Sequence, residues 1–289
     1  MRLCTIQRDG KAVVGVKVDG KIIDLSKQMP RGPKSLVEIL AGGKKLQDQV
    51  MKACVKPKAG AVVSEKSAKY LVPISAPGKI ICIGLNYRKH AEETKNPIPP
   101  YPVVFCRFDN TLLPHNGKMP RPKQSDQLDW EAELAVIIGR KCRNVAKEKS
   151  LGVVGGYACF NDGSVRDWQA KSGGQFTLGK NFDGTGAFGP DVVTPDELPK
   201  GGAPLRIMTR VNGETMQDSN TDDLIFDVPT LIHELTKVMT LDPGDVIITG
   251  TPSGVALARK PPNWLKPGDV CEIEIEKIGI LRNPVVQGV

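Results

Sequence analysis

Residues 130–139 read Trp-Glu-Ala-Glu-Leu-Ala-Val-Ile-Ile-Gly: two glutamates spaced by one residue, then an uninterrupted apolar run. A run this short, rich in β-branched residues and closed by glycine, predicts a buried strand. Its surroundings carry the same signal. KIICIGL (79–85), VVFCRF (103–108), GGYACFND (155–162), DVIITG (245–250) and DVCEIEIEKIGILRN (269–283) all read as strands, and LRIMTRVNGETM (205–216) as a hairpin about Asn-Gly. At the N-terminus RLCTIQ, AVVGVKV and IIDL are joined by two Asp-Gly turns. Helical spacing is confined to 35–40, 44–55, 146–151, 164–171 and 228–241, the last opening at Pro229. These helices are too few to serve as crossovers for a doubly wound sheet. The expected fold is α+β, dominated by mixed β-sheet.

A chain of 289 residues allows one large domain or two unequal ones. With 40% hydrophobic and 25% charged residues it has the composition of an ordinary globular protein, and 30 Gly with 23 Pro make it rich in turns. The Lys, Pro, Ser and Gly of 56–79 predict a linker, which divides the chain into a small N-terminal domain, 1–75, and a larger one, 76–289. Residues 1–78 hold 15 Lys/Arg against 6 Asp/Glu, and residues 79–289 hold 25 against 26. The basic excess is therefore N-terminal, but its lysines are dispersed and accompanied by one aromatic, Tyr70. That pattern predicts a solvated face and no nucleic-acid partner. No apolar run approaches the roughly 20 residues of a membrane span, and the first residues lack the apolar core of a secretory signal. Seven scattered cysteines without a C-x-x-C pair point to reduced thiols and a cytoplasmic location.

Chemistry concentrates around the opening stretch. On a strand, Glu131 and Glu133 project from one face, where two carboxylates repel unless a cation or proton separates them. An exposed Glu-x-Glu at a sheet edge has the same spacing. Asp162, ending the next apolar strand, supplies a third carboxylate, and such a trio suits Mg²⁺, Mn²⁺ or Ca²⁺ better than zinc. Asp162 could equally cap the helix expected at 164 or form an Asx turn. His90 precedes Glu93 by three residues, so one helical turn stacks imidazole on carboxylate, either as an oriented general base or as a surface pair. His115 lies in a Pro-rich loop and His233 in an amphipathic helix. Gly174–Lys180 matches the phosphate-loop pattern, but Asn181 replaces its Ser/Thr and neither a strand nor a helix flanks it.

Seven ordered blocks then carry a resemblance: GLNYRKHAEE, DWEAELAVIIGR, FNDGSVRDWQ, LGKNFDGTGAFGP, VNGETMQDSNTDDLIFDVPTLI, PGDVIITGTPSGV and LKPGDVCEIEIEKIGILRN. Together, from about residue 79 to 284, they resemble the fumarylacetoacetate hydrolase family. The first 75 residues resemble only the variable cap of its longer bacterial members. The resemblance implies a β-sandwich roll, a homodimer, and one divalent metal per subunit (Mg²⁺, Mn²⁺ or Ca²⁺) on Glu131, Glu133 and Asp162. It places the catalytic His–Glu dyad on His90 and Glu93 and the catalytic lysine on Lys180. Arg166, Gln169, Thr251, Gly250 and Asn86 fall at substrate-binding positions. The upstream metal-ligating Asp of the enzyme that names the family has no counterpart here, which fits the three-ligand bacterial and mitochondrial branch.

The family's reactions share an enolate next to a 2-oxo acid. The expected activity is C–C hydrolysis of a small diketo acid of the acylpyruvate type, with decarboxylation of oxaloacetate or isomerisation or hydration of a 2-oxo acid as the alternative. A non-catalytic protein binding metal and 2-oxo acid is the alternative of another class. Retention of His90, Glu93 and Lys180 argues against it, because binding needs no general base.

Overall fold

The strand Ala132–Ile138 is buried along its whole length because both of its faces are covered. Leu134, Val136 and Ile138 pack with Ile207, Ile273 and Leu281 of a second sheet and with Leu231 and Leu235 of the helix Val228–Val238. Ala135 and Ile137 face the other way and share a core with Leu3, Leu36, Ile39 and Val50 of the N-terminal region. Period-2 alternation thus sends adjacent residues into two different apolar clusters, so both sets of positions must be apolar.

The structure is a computed structural model and describes residues 1–171 and 173–289. Its main sheet runs in the order Val62–Ser64, Lys21–Asp24, Lys11–Val18, Arg2–Arg8, Asp191–Val193, Val154–Asp162, Ala132–Ile138, Val246–Ile248, Ile80–Gly84 and Val103–Arg107. Along this order pairing is antiparallel except between Val246–Ile248 and Ile80–Gly84, so the sheet is mixed. A second sheet orders Glu214–Asn220, Arg206–Val211, Val270–Ile275, Gly279–Gln287 and Met119–Arg121. This is the expected α+β architecture with sheet predominant. Among the described residues no helix is long and apolar enough to cross a membrane.

Three local expectations change. The stretch 56–79 is not a linker: Val62–Ser64 pairs with Lys21–Asp24, and Tyr70–Leu71 pairs with Arg2–Arg8. The main sheet runs on across residue 75, because Arg2–Arg8 also pairs with Asp191–Val193. The helix expected from 164 begins at Arg166, since Ser164 and Val165 pair with Asp129 and Leu128. At 146–151 the chain instead forms a 3₁₀ run, Lys147–Val153.

Candidate active site

Register brings the carboxylates together. In the antiparallel pair of Ala132–Ile138 with Val154–Asp162, Ala132 lies opposite Asn161, and the Asp162 amide donates to the Glu131 carbonyl at 3.0 Å. The end of one strand therefore lies beside the start of the other. On the far side, Ala135 pairs with Ile248, which carries the following turn to Glu133, where the Gly250 amide donates to its Oε2 at 2.5 Å. Gly250 has φ +104°, and an added Cβ would meet the Asn86 Cβ at 2.7 Å, so glycine is required there. One oxygen from each of Glu131, Glu133 and Asp162 falls within 4.8 Å of the others, and all three residues are buried.

Three cations face this group. Lys180 Nζ lies 2.5 Å from Asp162 Oδ2 and 2.6 Å from Glu131 Oε2. Arg107 Nη1 donates to Asp162 Oδ1 at 2.5 Å, and its other nitrogens reach Thr185 and Thr111. Arg166 Nη2 lies 2.6 Å from Glu131 Oε1. Burial raises the Glu131 carboxyl, but Lys180 and Arg166 outweigh it and bring it down to about 2. Glu133 has no cation of its own; burial, with the charges of Asp162 and Glu131, pushes it well above the usual carboxylate range. Burial disfavours the charge on Lys180, yet Asp162 and Glu131 hold it above the usual lysine range.

A cavity of about 600 Å³ opens on this group. Glu131, Glu133, Lys180, Arg166, Gln169, His90 and Thr251 line it, with Phe105, Phe176 and Leu257 forming apolar wall. His90 sits on the short helix Arg88–Glu93, its Nδ1 2.8 Å from Glu93 Oε1. The Glu93 carboxylate also accepts the Gly254 amide, at 2.9 Å on Oε2, which ties the helix to the turn after Thr251. Nδ1 is thereby committed, and Nε2 is the nitrogen through which His90 can act on a ligand. Thr251 Oγ1 accepts from Gln217 Nε2 at 2.9 Å. Asn86 is not on the cavity wall. Its side-chain amide donates to the Phe226 and Thr249 carbonyls and accepts from the Phe226 amide, so it pins loops behind the site.

Residues Thr177–Lys180 form one helical turn that delivers Lys180 to carboxylates, so the phosphate-loop match carries no phosphate site. His115 and His233 lie elsewhere: His115 Nδ1 accepts the Arg282 amide, and His233 Nδ1 meets the Val145 carbonyl. Arg107 and Asp129 escape the sequence reading, although both are fully embedded in the site.

The donor set fits a hard divalent cation: three buried carboxylates, oxygen ligands only, and one of them surrounded by negative charge. The sequence model for the C-terminal domain of fumarylacetoacetate (FAA) hydrolase matches residues 79–286. The chain belongs to this family. Among its relatives, the oxaloacetate tautomerase fahd2, mitochondrial, of Xenopus laevis is 41% identical over 268 residues, 92% of this chain and 83% of the relative. The solved fumarylacetoacetate hydrolase from psychrophilic Exiguobacterium antarcticum superposes with TM-score 0.86 at 34% identity, covering both chains fully. Maleylpyruvate hydrolase from Sphingobium sp. SYK-6, solved with manganese(II) and pyruvate, superposes with TM-score 0.83 at 28% identity, again over both whole chains. Family members thus include a hydrolase and a tautomerase of small keto acids, and a divalent metal is present in one solved neighbour.

Proposed function

We propose that this protein interconverts the keto and enol forms of oxaloacetate or a close 2-oxo dicarboxylic acid. The observation that carries the reading is the His90–Glu93 pair set on the same cavity as the Glu131–Glu133–Asp162 group. Glu131, Glu133 and Asp162 would hold a divalent cation, which stabilises negative charge developing on a ketone oxygen. His90, through Nε2, would take a proton from the carbon next to the ketone and deliver it to the ketone oxygen, which gives the enol, and run the same transfer in reverse, while Glu93 fixes the tautomer and orientation of the ring. Arg166 and Thr251 would bind the substrate carboxylate, and Lys180 would balance charge at the reacting oxygen. Tautomerisation asks for one base and no attacking water, and two relatives matched over 92% of this chain carry that activity in their names.

C–C hydrolysis of an acylpyruvate, which the sequence ranks first, is the second reading. The apolar wall of Phe105, Phe176 and Leu257 supports it, because an acyl group could lie there. The cysteines are all unpaired, which suits a reducing compartment, cytoplasm or mitochondrial matrix alike. The deciding experiment follows the enol absorbance of oxaloacetate and, separately, acylpyruvate cleavage, with Mg²⁺ or Mn²⁺ and with chelator. Metal-dependent acceleration of enol decay without acylpyruvate turnover is expected. Cleavage with no effect on tautomerisation would overturn the reading.

A further inference from the structure

Asp129 lies outside the carboxylate group and is fully buried, with both oxygens engaged. Oδ1 accepts the Ala256 amide at 2.7 Å; Oδ2 accepts the Leu257 amide at 3.1 Å and Arg166 Nε at 2.8 Å. Arg166 in turn donates from Nη1 to Gln169 Oε1 at 2.9 Å. Its Nη2 meets Glu131 Oε1 at 2.6 Å. The guanidinium is therefore oriented by Asp129 and Gln169, and it reaches Glu131 through Nη2 alone.

We infer that Asp129 is a positioning residue that holds Arg166 back from a bidentate grip on Glu131, so that a divalent cation can displace the single Arg166 contact there. This rests on the metal reading given above. A planar guanidinium pairs most strongly with a carboxylate through two parallel bonds. With Nε on Asp129 and Nη1 on Gln169, neither fork that includes Nη2 is available to Glu131. Freed from Asp129, Arg166 would turn its remaining donors to the nearest buried carboxylate, which is Glu131, and compete with the metal for its oxygens.

The test measures Mn²⁺ affinity by calorimetry on four purified proteins: wild type, Asp129→Asn, Arg166→Gln and the double variant. Asp129→Asn should weaken Mn²⁺ binding by about 10- to 100-fold, the usual effect of losing a group that orients a metal ligand. Arg166→Gln alone should leave affinity unchanged or higher, and in the Asp129→Asn background it should restore binding to within about threefold of wild type, a non-additivity expected only of coupled residues. Thermal melts of all four confirm the fold. A double variant as weak as Asp129→Asn overturns the inference, because Asp129 then acts through the 256–257 turn alone. Unchanged affinity in Asp129→Asn also overturns it. A wild type that takes up no Mn²⁺ overturns the metal reading itself, and the inference with it.

Discussion

With Nδ1 of His90 held by Glu93, replacing the ring removes the base but leaves the carboxylate group intact. His90→Ala should lower turnover by about 10²–10⁴-fold, with Mn²⁺ affinity unchanged, measured by steady-state kinetics and calorimetry on one preparation. Glu93→Gln should cost less, since the amide still reaches the ring. Equal losses in metal binding and turnover would remove His90 from the base's role. Arg107→Met acts differently, on stability. It breaks a buried pair, for which about 3–5 kcal/mol is usual, and the lower end is expected because Lys180 still faces Asp162; denaturant unfolding reads it. Why were Arg107 and Asp129 missed in the sequence while Glu131, Glu133 and Asp162 were legible? Both obey the same period-2 rule. Arg107 shares a strand face with buried Phe105, and Asp129 continues the row of Glu131 and Glu133. Counting alternate positions back from the glutamate pair reaches Asp129. Arg107, on a separate strand, becomes visible only once its partner Asp162, far along the chain, is known.

At the scale of elements, the strands that carry the site were legible because their apolar runs admit no helix, and the helix Val228–Val238 because Asp227 caps it beside Pro229. What could not be read was pairing between distant segments. The short strands Val62–Ser64 and Tyr70–Leu71 lie in polar sequence and gain their state from partners at 21–24 and 2–8, an instance of tertiary context overriding composition. The seam of the 114–117 loop against Gly279–Gln287 was equally hidden. There His115 accepts the Arg282 amide and meets Tyr70 edge-on, with ring centroids 5.4 Å apart. Burial, then Lys17 and Arg282, lowers His115 to about 4. The unfolded chain takes up a proton near pH 6.5 that the folded chain refuses until about 4. Stability should therefore fall as pH drops through this window. His115→Gln, which keeps an acceptor for Arg282, should flatten the loss, as read from thermal melts at pH 7.5 and 5. An equal pH slope in both proteins would mean that another group carries it.

Across the whole molecule, the N-terminal residues complete a sheet and a core that the site depends on. Leu3, Leu36, Ile39 and Leu40 share one apolar cluster with Ala135, Ile137, Phe160 and Val192, so they press on the strands that carry Glu133 and Asp162. Contact is close: a Cβ added at Gly155 would lie 3.0 Å from that of Leu40. The basic surface of this region is separate from that role, since among the described residues Lys44 pairs only with exposed Asp48 and Asp196. Exposed pairs of this kind contribute little, so neutralising Lys44 and Lys45 should leave turnover nearly unchanged. Core changes should not be local. Leu3→Ala empties a fully buried position and should cost about 2–5 kcal/mol. Because Leu3 and Ile137 lie in one cluster, Leu3→Ala and Ile137→Ala should move the same single urea transition, whether it is followed by tryptophan fluorescence or by circular dichroism. All three tryptophans lie beyond residue 76, so fluorescence reports on the region that bears the site. A Leu3→Ala protein whose fluorescence midpoint stayed at the wild-type value, while an earlier transition appeared by circular dichroism, would show that residues 1–75 unfold by themselves and that the shared sheet does not couple the two regions.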